Sequence, residues 1–169
     1  MQKNLLFTEN NLLVNYCKAT LLDLFALEQL EKDCFQAEAF SRRLIKNLLI
    51  NTKSAVFKAA EPTGKIIGNI IGTTKKENST SVGRIFSLCV LGQYRKIGIA
   101  SQLVKILEEE FSSRGIKKVK LEVNTNNTDA QLFYKHCGYL KSPAVLHNYY
   151  RDGSNAHVMT KDFSRSYFP

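Results

Sequence analysis

The sequence predicts a single α/β domain, residues 1–169, in which helices cover a mixed β-sheet. The first observation is the order of its periodic segments, β-α-α-β-β-β-α-β-α-β-β, which intersperses strands with helices. The second is the length, because 169 residues are enough for one full hydrophobic core. The third is the composition of 44% hydrophobic and 23% charged residues, which is ordinary for a folded domain.

The first half of the chain has the pattern of a strand, two helices and a hairpin. Residues 12–16 form the strand, and Thr20 with Asp23 begins a helix that ends near Cys34. Ser41 caps a second helix after a linker at 35–40. Strands at 54–60 and 65–72 follow, joined by a turn, and 73–81 is a polar loop. The apolar helix residues are Leu22, Phe25, Ala26 and Leu30, then Leu44, Ile45, Leu48 and Leu49.

The second half begins with a strand at 85–90, a polar corner at 92–96 and a helix ending at Gly115. Residues 117–123 alternate between apolar and charged side chains, which is typical of a strand with one buried face. A turn and a helix at about 129–136 follow, closed by Gly138, and two further strands complete the chain. The apolar stripe of the long helix consists of Ala100, Leu103, Val104, Leu107 and Phe111.

Composition excludes several classes of function. No apolar run approaches the roughly 20 residues of a membrane span, and the N-terminus does not resemble an export signal. The cysteines are dispersed without paired metal-ligand spacing, which predicts no metal site and a reducing cytoplasm. The net charge of +9 favours acidic partners such as nucleotide phosphates, an RNA surface or acidic peptides. Because the basic residues form no dense block or recognition motif, direct nucleic-acid recognition is not expected.

The corner at 92–96 predicts an anion site. A strand, a tight turn and a helix leave free amides at the helix N-terminus, and the helix dipole favours a pyrophosphate there. Gly98 allows close backbone approach, and Arg95 and Lys96 add positive charge. An ordinary strand–helix turn with solvated basic residues would show the same pattern.

Glu122 and Tyr134 are the candidate catalytic side chains. Taken alone, Glu122 has the pattern of a solvated strand residue that Lys118 and Lys120 keep ionised. Tyr134 taken alone has the pattern of a core tyrosine. They lie 12 positions apart on a consecutive strand and helix. That arrangement can place both side chains around one cleft.

The motifs resemble those of the GNAT N-acetyltransferases. Arg95-Lys96-Ile97-Gly98-Ile99-Ala100 resembles the acetyl-CoA signature Gln/Arg-x-x-Gly-x-Gly/Ala, although Lys96 and Ala100 stand where relatives often have Gly. Leu121-Glu122-Val123, Asn127 with Ala130, Tyr134 and Gly138-Tyr139 follow in the family's order. Residues 148–159 resemble the ending of protein N-terminal acetyltransferases, above all the ribosomal-protein alanine N-acetyltransferases. The resemblance implies the GNAT fold, a mostly antiparallel mixed sheet of six to seven strands with helices on both faces.

The resemblance also implies a site for acetyl-CoA as co-substrate, without a metal. Main-chain groups around Leu88 and Val90 would pair with the pantetheine arm as an added strand. Asn127 would bond the same arm. The pyrophosphate would lie on residues 95–101. The implied cofactor-binding residues are Leu88, Cys89, Val90, Arg95, Lys96, Ile97, Gly98, Ile99, Ala100, Ser101 and Asn127.

The mechanism implied is direct acetyl transfer to an amine. Glu122, through a water, would remove a proton from the acceptor, and Tyr134 would protonate the departing thiolate. The amide of Val90 would stabilise the oxyanion. The acceptor would contact Phe35, Tyr149 and Tyr150, although packing explains the two tyrosines equally well. The linker between the first two helices is longer than usual in the family.

Three hypotheses for function remain open at this level. The first is a protein N-terminal acetyltransferase acting on a protein such as a ribosomal protein. The second is a GNAT enzyme acting on a small amine or a lysine side chain, which differs in whether the first residues of a peptide govern the rate. The third is a non-catalytic module that binds CoA or docks on RNA, and the retention of Glu122, Asn127 and Tyr134 argues against it.

Overall fold

The computed structural model describes residues 5–9 and 12–163. These form eight strands and four α-helices. The strands are β1 Leu5–Glu9, β2 Leu12–Lys18, β3 Ser54–Ala60, β4 Ile66–Glu77, β5 Thr80–Val90, β6 Lys118–Asn124, β7 Leu140–Leu146 and β8 Ala156–Asp162. The helices are α1 Leu24–Phe35, α2 Arg42–Ile50, α3 Ile99–Ser113 and α4 Thr128–His136.

The strands form one sheet in the order β1-β2-β3-β4-β5-β6-β8-β7. Strand β5 pairs with β6 in parallel, whereas β2, β3 and β8 pair antiparallel with their neighbours. The predicted fold class, a mostly antiparallel mixed sheet with helices, is confirmed. The sheet has one strand more than predicted, because β1 pairs with β2 from Leu5↔Tyr16 to Glu9↔Leu12.

The chain divides into two compact units that share β4, β5 and α3. The first unit comprises Met1–Thr73 and Ser87–Leu107, and the second comprises Thr74–Phe86 and Glu108–Pro169. That residues 1–169 act as a single domain stays a prediction. None of the helices in the described part of the chain is long and apolar enough to cross a membrane.

In the first unit, α1 buries only part of the predicted apolar face. The capping box of Thr20 and Asp23 is present, but it caps a 3-10 turn at Leu21–Asp23 that precedes α1. Of the four predicted apolar residues, Leu30 is buried, whereas Leu22, Phe25 and Ala26 are not. The buried residues of α1 are Leu27, Glu28, Leu30 and Glu31.

The second helix follows its prediction closely. The Ser41 hydroxyl accepts a hydrogen bond from the Leu44 N–H at 3.3 Å, which caps α2. Ile45 and Leu48 are buried on its apolar face. The local cap and the apolar spacing were sufficient to define this helix.

The predicted polar loop at 73–81 is wrong, because these residues extend a hairpin. Strand β4 continues to Glu77, and β5 begins at Thr80. Asn78 and Ser79 connect them with φ angles of 45° and 68°. Two consecutive positive φ angles characterise the tight hairpin turn whose twist matches the flanking strands.

In the second unit, the alternation predicted for β6 is confirmed. Val119, Leu121 and Val123 are buried, and the residues between them are more exposed. The parallel pairing with β5 runs through Val82↔Lys118, Gly83↔Val119 and Arg84↔Lys120. This register fixes which charged side chains of the two strands are neighbours.

Candidate active site

The corner after β5, in the first unit, is held by a set of specific hydrogen bonds. The Leu91 N–H donates to the Ile67 carbonyl at 2.9 Å. The Tyr94 hydroxyl donates to Glu61 at 2.9 Å, and the Arg95 Nε donates to the Val90 carbonyl at 2.9 Å. These bonds fix the path of the chain from the end of β5 to the start of α3.

The same corner has the geometry of an anion-binding loop. Lys96 and Gly98 adopt φ angles of 62° and 101°, in the left-handed region that favours glycine. A lysine in this conformation costs about 1–2 kcal/mol, which explains why glycine suits position 96. The Gln102 N–H donates to the Gly98 carbonyl at 3.0 Å, so the amides of residues 99–101 begin the helix without intrahelical acceptors.

The side chains of this loop separate into two groups. Arg95, Lys96, Gly98 and Ser101 are exposed, whereas Ile97 and Ala100 are half-buried and Ile99 is buried. Ile99 can therefore offer a ligand only its main chain. Exposed positive charge beside free amides fits a phosphate group.

The last residues of β5 offer main-chain rather than side-chain contacts. Cys89 is buried, and its thiol donates to the side-chain oxygen Oδ1 of Asn69 at 2.8 Å. Gly68 on β4 lies against this segment, because a Cβ there would be 3.1 Å from the Cys89 carbonyl oxygen. Leu88 is half-buried and Val90 is buried.

A buried carboxyl group, which the sequence did not reveal, lies beneath this segment. The Ser87 hydroxyl donates to Glu31 at 2.6 Å, and the Phe40 N–H approaches the other carboxyl oxygen at 3.5 Å. Burial raises the pKa of Glu31, although the bond from Ser87 opposes that shift. The Cys34 thiol lies close by, and its hydrogen bond with Cys89 lowers the pKa of Cys34.

In the second unit, Glu122 forms an ion pair that the sequence did not predict. Its carboxylate accepts a hydrogen bond from the Arg84 Nε at 2.7 Å, and its side chain is only 11% exposed. Of the two lysines expected beside it, Lys120 has a different partner. Lys120 instead bonds Glu77 and is the main reason that the pKa of Glu77 is lowered.

Arg84 also reaches the loop between β7 and β8. Its Nη2 donates to the Tyr149 hydroxyl at 2.5 Å, and its guanidinium lies 4.8 Å from the centre of the Phe86 ring. Burial and the nearby Glu122 carboxylate raise the pKa of Tyr149. The signal that would have revealed Arg84 is the parallel register, which places it opposite Lys120 and diagonal to Glu122.

Tyr134 is a buried phenol on α4, so it has the surroundings expected of a core residue. Its ring packs edge-on against Phe133 and Tyr139, with centroids 5.2 and 5.8 Å away. Burial, with smaller effects from Cys137 and Tyr150, raises its pKa. The phenol therefore stays protonated at neutral pH, as a general acid must be.

Asn127 has a structural role as the N-cap of α4. Its side-chain oxygen accepts a hydrogen bond from the Ala130 N–H at 3.0 Å. The NH2 group of the same carboxamide is a donor that the cap does not use. Asn127 and Asn124 lie in an open depression together with Asn126, Thr128 and Asp129.

The two candidate acceptor tyrosines lie in an ordered loop. The N–H groups of Tyr149 and Tyr150 both donate to the Ser154 carbonyl, at 2.9 and 3.1 Å. Asn124 on β6 donates to the Ser154 hydroxyl at 2.7 Å. The tyrosine rings meet edge to face, with centroids 5.1 Å apart. Phe35, the third candidate, is the half-buried last residue of α1 in the first unit.

The structure thus brings together some predicted residues within each unit. In the second unit, Arg84 connects Glu122 with Tyr149. In the first unit, the end of β5 and the anion-binding loop are continuous. No group of three His, Cys, Asp or Glu side chains in residues 5–9 and 12–163 could hold a metal ion.

Comparisons with known proteins identify acetyltransferases as relatives of this chain. The profile of the Acetyltransferase (GNAT) family matches residues 22–139. An uncharacterised N-acetyltransferase of Methanocaldococcus jannaschii is 34% identical over 143 residues, which cover 82% of this chain and 85% of that protein. An N-alpha-acetyltransferase of Sulfurisphaera tokodaii is 34% identical over 117 residues, covering 62% of this chain and 68% of that protein.

Solved structures share the fold. The Naa50 protein of Arabidopsis thaliana, solved with the bisubstrate analogue CoA-Ac-MVNAL, is 25% identical with a TM-score of 0.76, covering 89% of this chain and 99% of that one. The ribosomal-protein alanine N-acetyltransferase of Escherichia coli is 22% identical with a TM-score of 0.75, covering 92% and 99%. The similarity to the E. coli enzyme shows that this chain shares the fold of a ribosomal-protein alanine N-acetyltransferase, the group that its sequence motifs resemble.

Proposed function

The chain belongs to the GNAT acetyltransferase family, and we propose that it transfers an acetyl group from acetyl-CoA to the N-terminal α-amine of a protein. The observation that carries the choice of acceptor is the contact of Tyr149 with the ion pair of Glu122. This contact links the loop that resembles a peptide-binding ending to the candidate base. The name of the S. tokodaii relative and the peptide analogue bound to Naa50 support the same acceptor.

The residues proposed to bind acetyl-CoA suit an anionic, extended ligand. When bound, acetyl-CoA supplies an acetyl group already activated as a thioester. The exposed Arg95 and Lys96 and the amides of residues 99–101 would hold its pyrophosphate. The paired segment of β5 with β6 ends at Arg84, so main-chain groups of Leu88 and Val90 are suited to hold an extended arm. The free amide group of Asn127 would donate to that arm.

The chain's own residues would then move two protons. An amine is protonated at neutral pH, so a base must act before it can attack, and Glu122 would take the proton through a water. The Val90 N–H would donate to the oxygen that becomes negatively charged. Tyr134, whose raised pKa keeps it protonated, would donate its proton to the departing thiolate sulfur.

Phe35, Tyr149 and Tyr150 would contact the acceptor peptide. A ribosomal protein with an N-terminal alanine is the acceptor that the sequence motifs favour. The four cysteines are free thiols, which suit a reducing compartment and support a cytoplasmic location. We further propose that residues 1–169 act as one catalytic domain, since the family profile matches residues 22–139, which include parts of both units.

The test is a screen of peptides that differ in their first residues, with acetyl-CoA and mass spectrometry as the readout. Each peptide contains one internal lysine, and its matched control carries a blocked N-terminus. We expect acetylation of the free α-amine, with a rate that depends on the first residues, and no reaction of the blocked control. Equal acetylation of blocked and free peptides, or reaction only with small amines, would overturn the proposed acceptor.

A further inference from the structure

We propose that Arg84 is a positioning residue for the reaction, which holds the candidate base Glu122 and the acceptor loop in one hydrogen-bonded group. This inference rests on the proposed function, because Glu122 is the base in that mechanism. Arg84 lies in none of the motifs that resemble the family, and its role follows from three contacts in the second unit.

The first step is the geometry of the guanidinium. Its Nε donates to Glu122 at 2.7 Å, and its Nη2 donates to the Tyr149 hydroxyl at 2.5 Å. Its plane is supported by Phe86, two residues further along β5 and on the same side of the strand. One rigid group therefore fixes the carboxylate and the phenol at defined positions relative to each other. A lysine carries the same charge as a compact point, so it cannot reproduce both bonds with this geometry.

The second step is the charge around Glu122. From β5 it is faced by Arg84, and from the β7–β8 loop by Tyr149, whose pKa is raised in part by Glu122 itself. Lys120, its neighbour on β6, bonds Glu77 at the end of β4. Its partner on β8 is the neutral Val158. Among the described residues, Arg84 is thus the cation that bonds Glu122, and this bond fixes the position of the carboxylate.

The third step is the acceptor loop. The Tyr149 hydroxyl accepts the bond from Arg84, which leaves its own proton to donate to Glu122 or to a substrate. Two main-chain bonds to Ser154 shape the loop near Tyr149, but Arg84 ties the side chain of Tyr149 to the sheet. Loss of the guanidinium should therefore disturb acceptor binding as well as the position of the Glu122 carboxylate.

The experiment compares Arg84→Met, Arg84→Lys and Tyr149→Phe by kcat and by the KM of the acceptor. For Arg84→Met we expect kcat to fall and the acceptor KM to rise, because Glu122 and Tyr149 both lose the group that fixes their positions. Arg84→Lys keeps the positive charge but cannot make both bonds with this geometry, so it should not restore kcat and KM together. Tyr149→Phe leaves the bond between Arg84 and Glu122 in place, so its KM should rise with a smaller loss of kcat than in Arg84→Met.

The controls separate this inference from folding and from the proposed function. Each variant should show the wild-type thermal shift with acetyl-CoA, because neither Arg84 nor Tyr149 is among the residues proposed to hold the cofactor. If the wild type acetylates a small amine rather than peptides, the proposed acceptor fails, and the loss of kcat is measured with that amine. Wild-type values of kcat and KM in Arg84→Met would overturn the inference. If Arg84→Met does not fold, wild-type values of KM in both Arg84→Lys and Tyr149→Phe would do so.

Discussion

Substitution of Gly83 by alanine should destabilise the protein by an amount set by one contact. Gly83 lies on β5 opposite Val119, and a Cβ there would be 2.8 and 2.9 Å from two ring carbons of Phe111. Phe111 is fully buried on α3, so its ring has no solvent into which it can move. The absence of a side chain at position 83 is therefore a packing requirement.

The size of the effect follows from those distances. Carbon atoms pack best at about 3.5–4.0 Å, so the new methyl group is about 0.7 Å too close to the ring. Overpacking of this kind costs about 1–3 kcal/mol of unfolding free energy. In a chain of this size each kcal/mol lowers Tm by about 2–4 °C, so a loss of about 2–12 °C is expected.

Urea and thermal unfolding would measure this loss, with Gly92→Ala as the matched control. A Cβ at Gly92 would meet no atom within 4 Å, so that variant should be neutral or slightly stabilised. The double variant Gly83→Ala/Phe111→Leu should lose less stability than the sum of its single changes, because the smaller side chain vacates the space. Wild-type stability of Gly83→Ala, or simple additivity in the double variant, would refute the reasoning.

Three further predictions concern the site. Gly98→Asp should abolish the thermal shift caused by millimolar acetyl-CoA. Gly98→Ala, which bears the same backbone strain without charge, should retain part of that shift. An unchanged shift in Gly98→Asp would contradict the assignment of this loop to acetyl-CoA. Tyr134→Phe should lower kcat about 10²–10⁴-fold with little change in acetyl-CoA affinity, and full turnover at saturating substrate would leave it as a core residue. Glu31→Gln should change the pH dependence of stability measured by urea unfolding. Because folding raises the pKa of Glu31, the wild type loses stability as the pH rises above 4.5, the ordinary pKa of a glutamate side chain. The variant should lack that loss. The same dependence of unfolding free energy on pH in the wild type and the variant would contradict the prediction.

Local patterns predicted the elements that local interactions define. The alternation of β6, the cap at Ser41 and the apolar stripe of α3 each involve residues close together in sequence, and the structure confirms them. The hairpin at 73–81 was missed because Asn78-Ser79 lacks the glycine that usually marks such a turn. The buried face of α1 was predicted only at Leu30, because two of its four buried residues are the carboxylic acids Glu28 and Glu31, which apolar spacing does not reveal.

The unpredicted parts of the site are long-range pairs. Arg84 lies 38 positions from Glu122, and Ser87 lies 56 positions from Glu31. Sequence spacing along one element carries no information about such pairs, since they depend on which strands and helices become neighbours. Glu122 and Tyr134 were predicted from their spacing on a consecutive strand and helix together with the family resemblance, and their catalytic roles remain proposals.

The cap made by Asn127 has a consequence for the entropy of binding. Its side-chain oxygen is already bound to the Ala130 N–H, so the orientation of the whole carboxamide is set before any ligand arrives. Ordering a free side chain at a binding site costs about 0.5–1.5 kcal/mol. If Asn127 donates to acetyl-CoA as proposed, its side chain is already ordered by folding, so binding does not lose that conformational entropy. The helix cap therefore preorganises the donor.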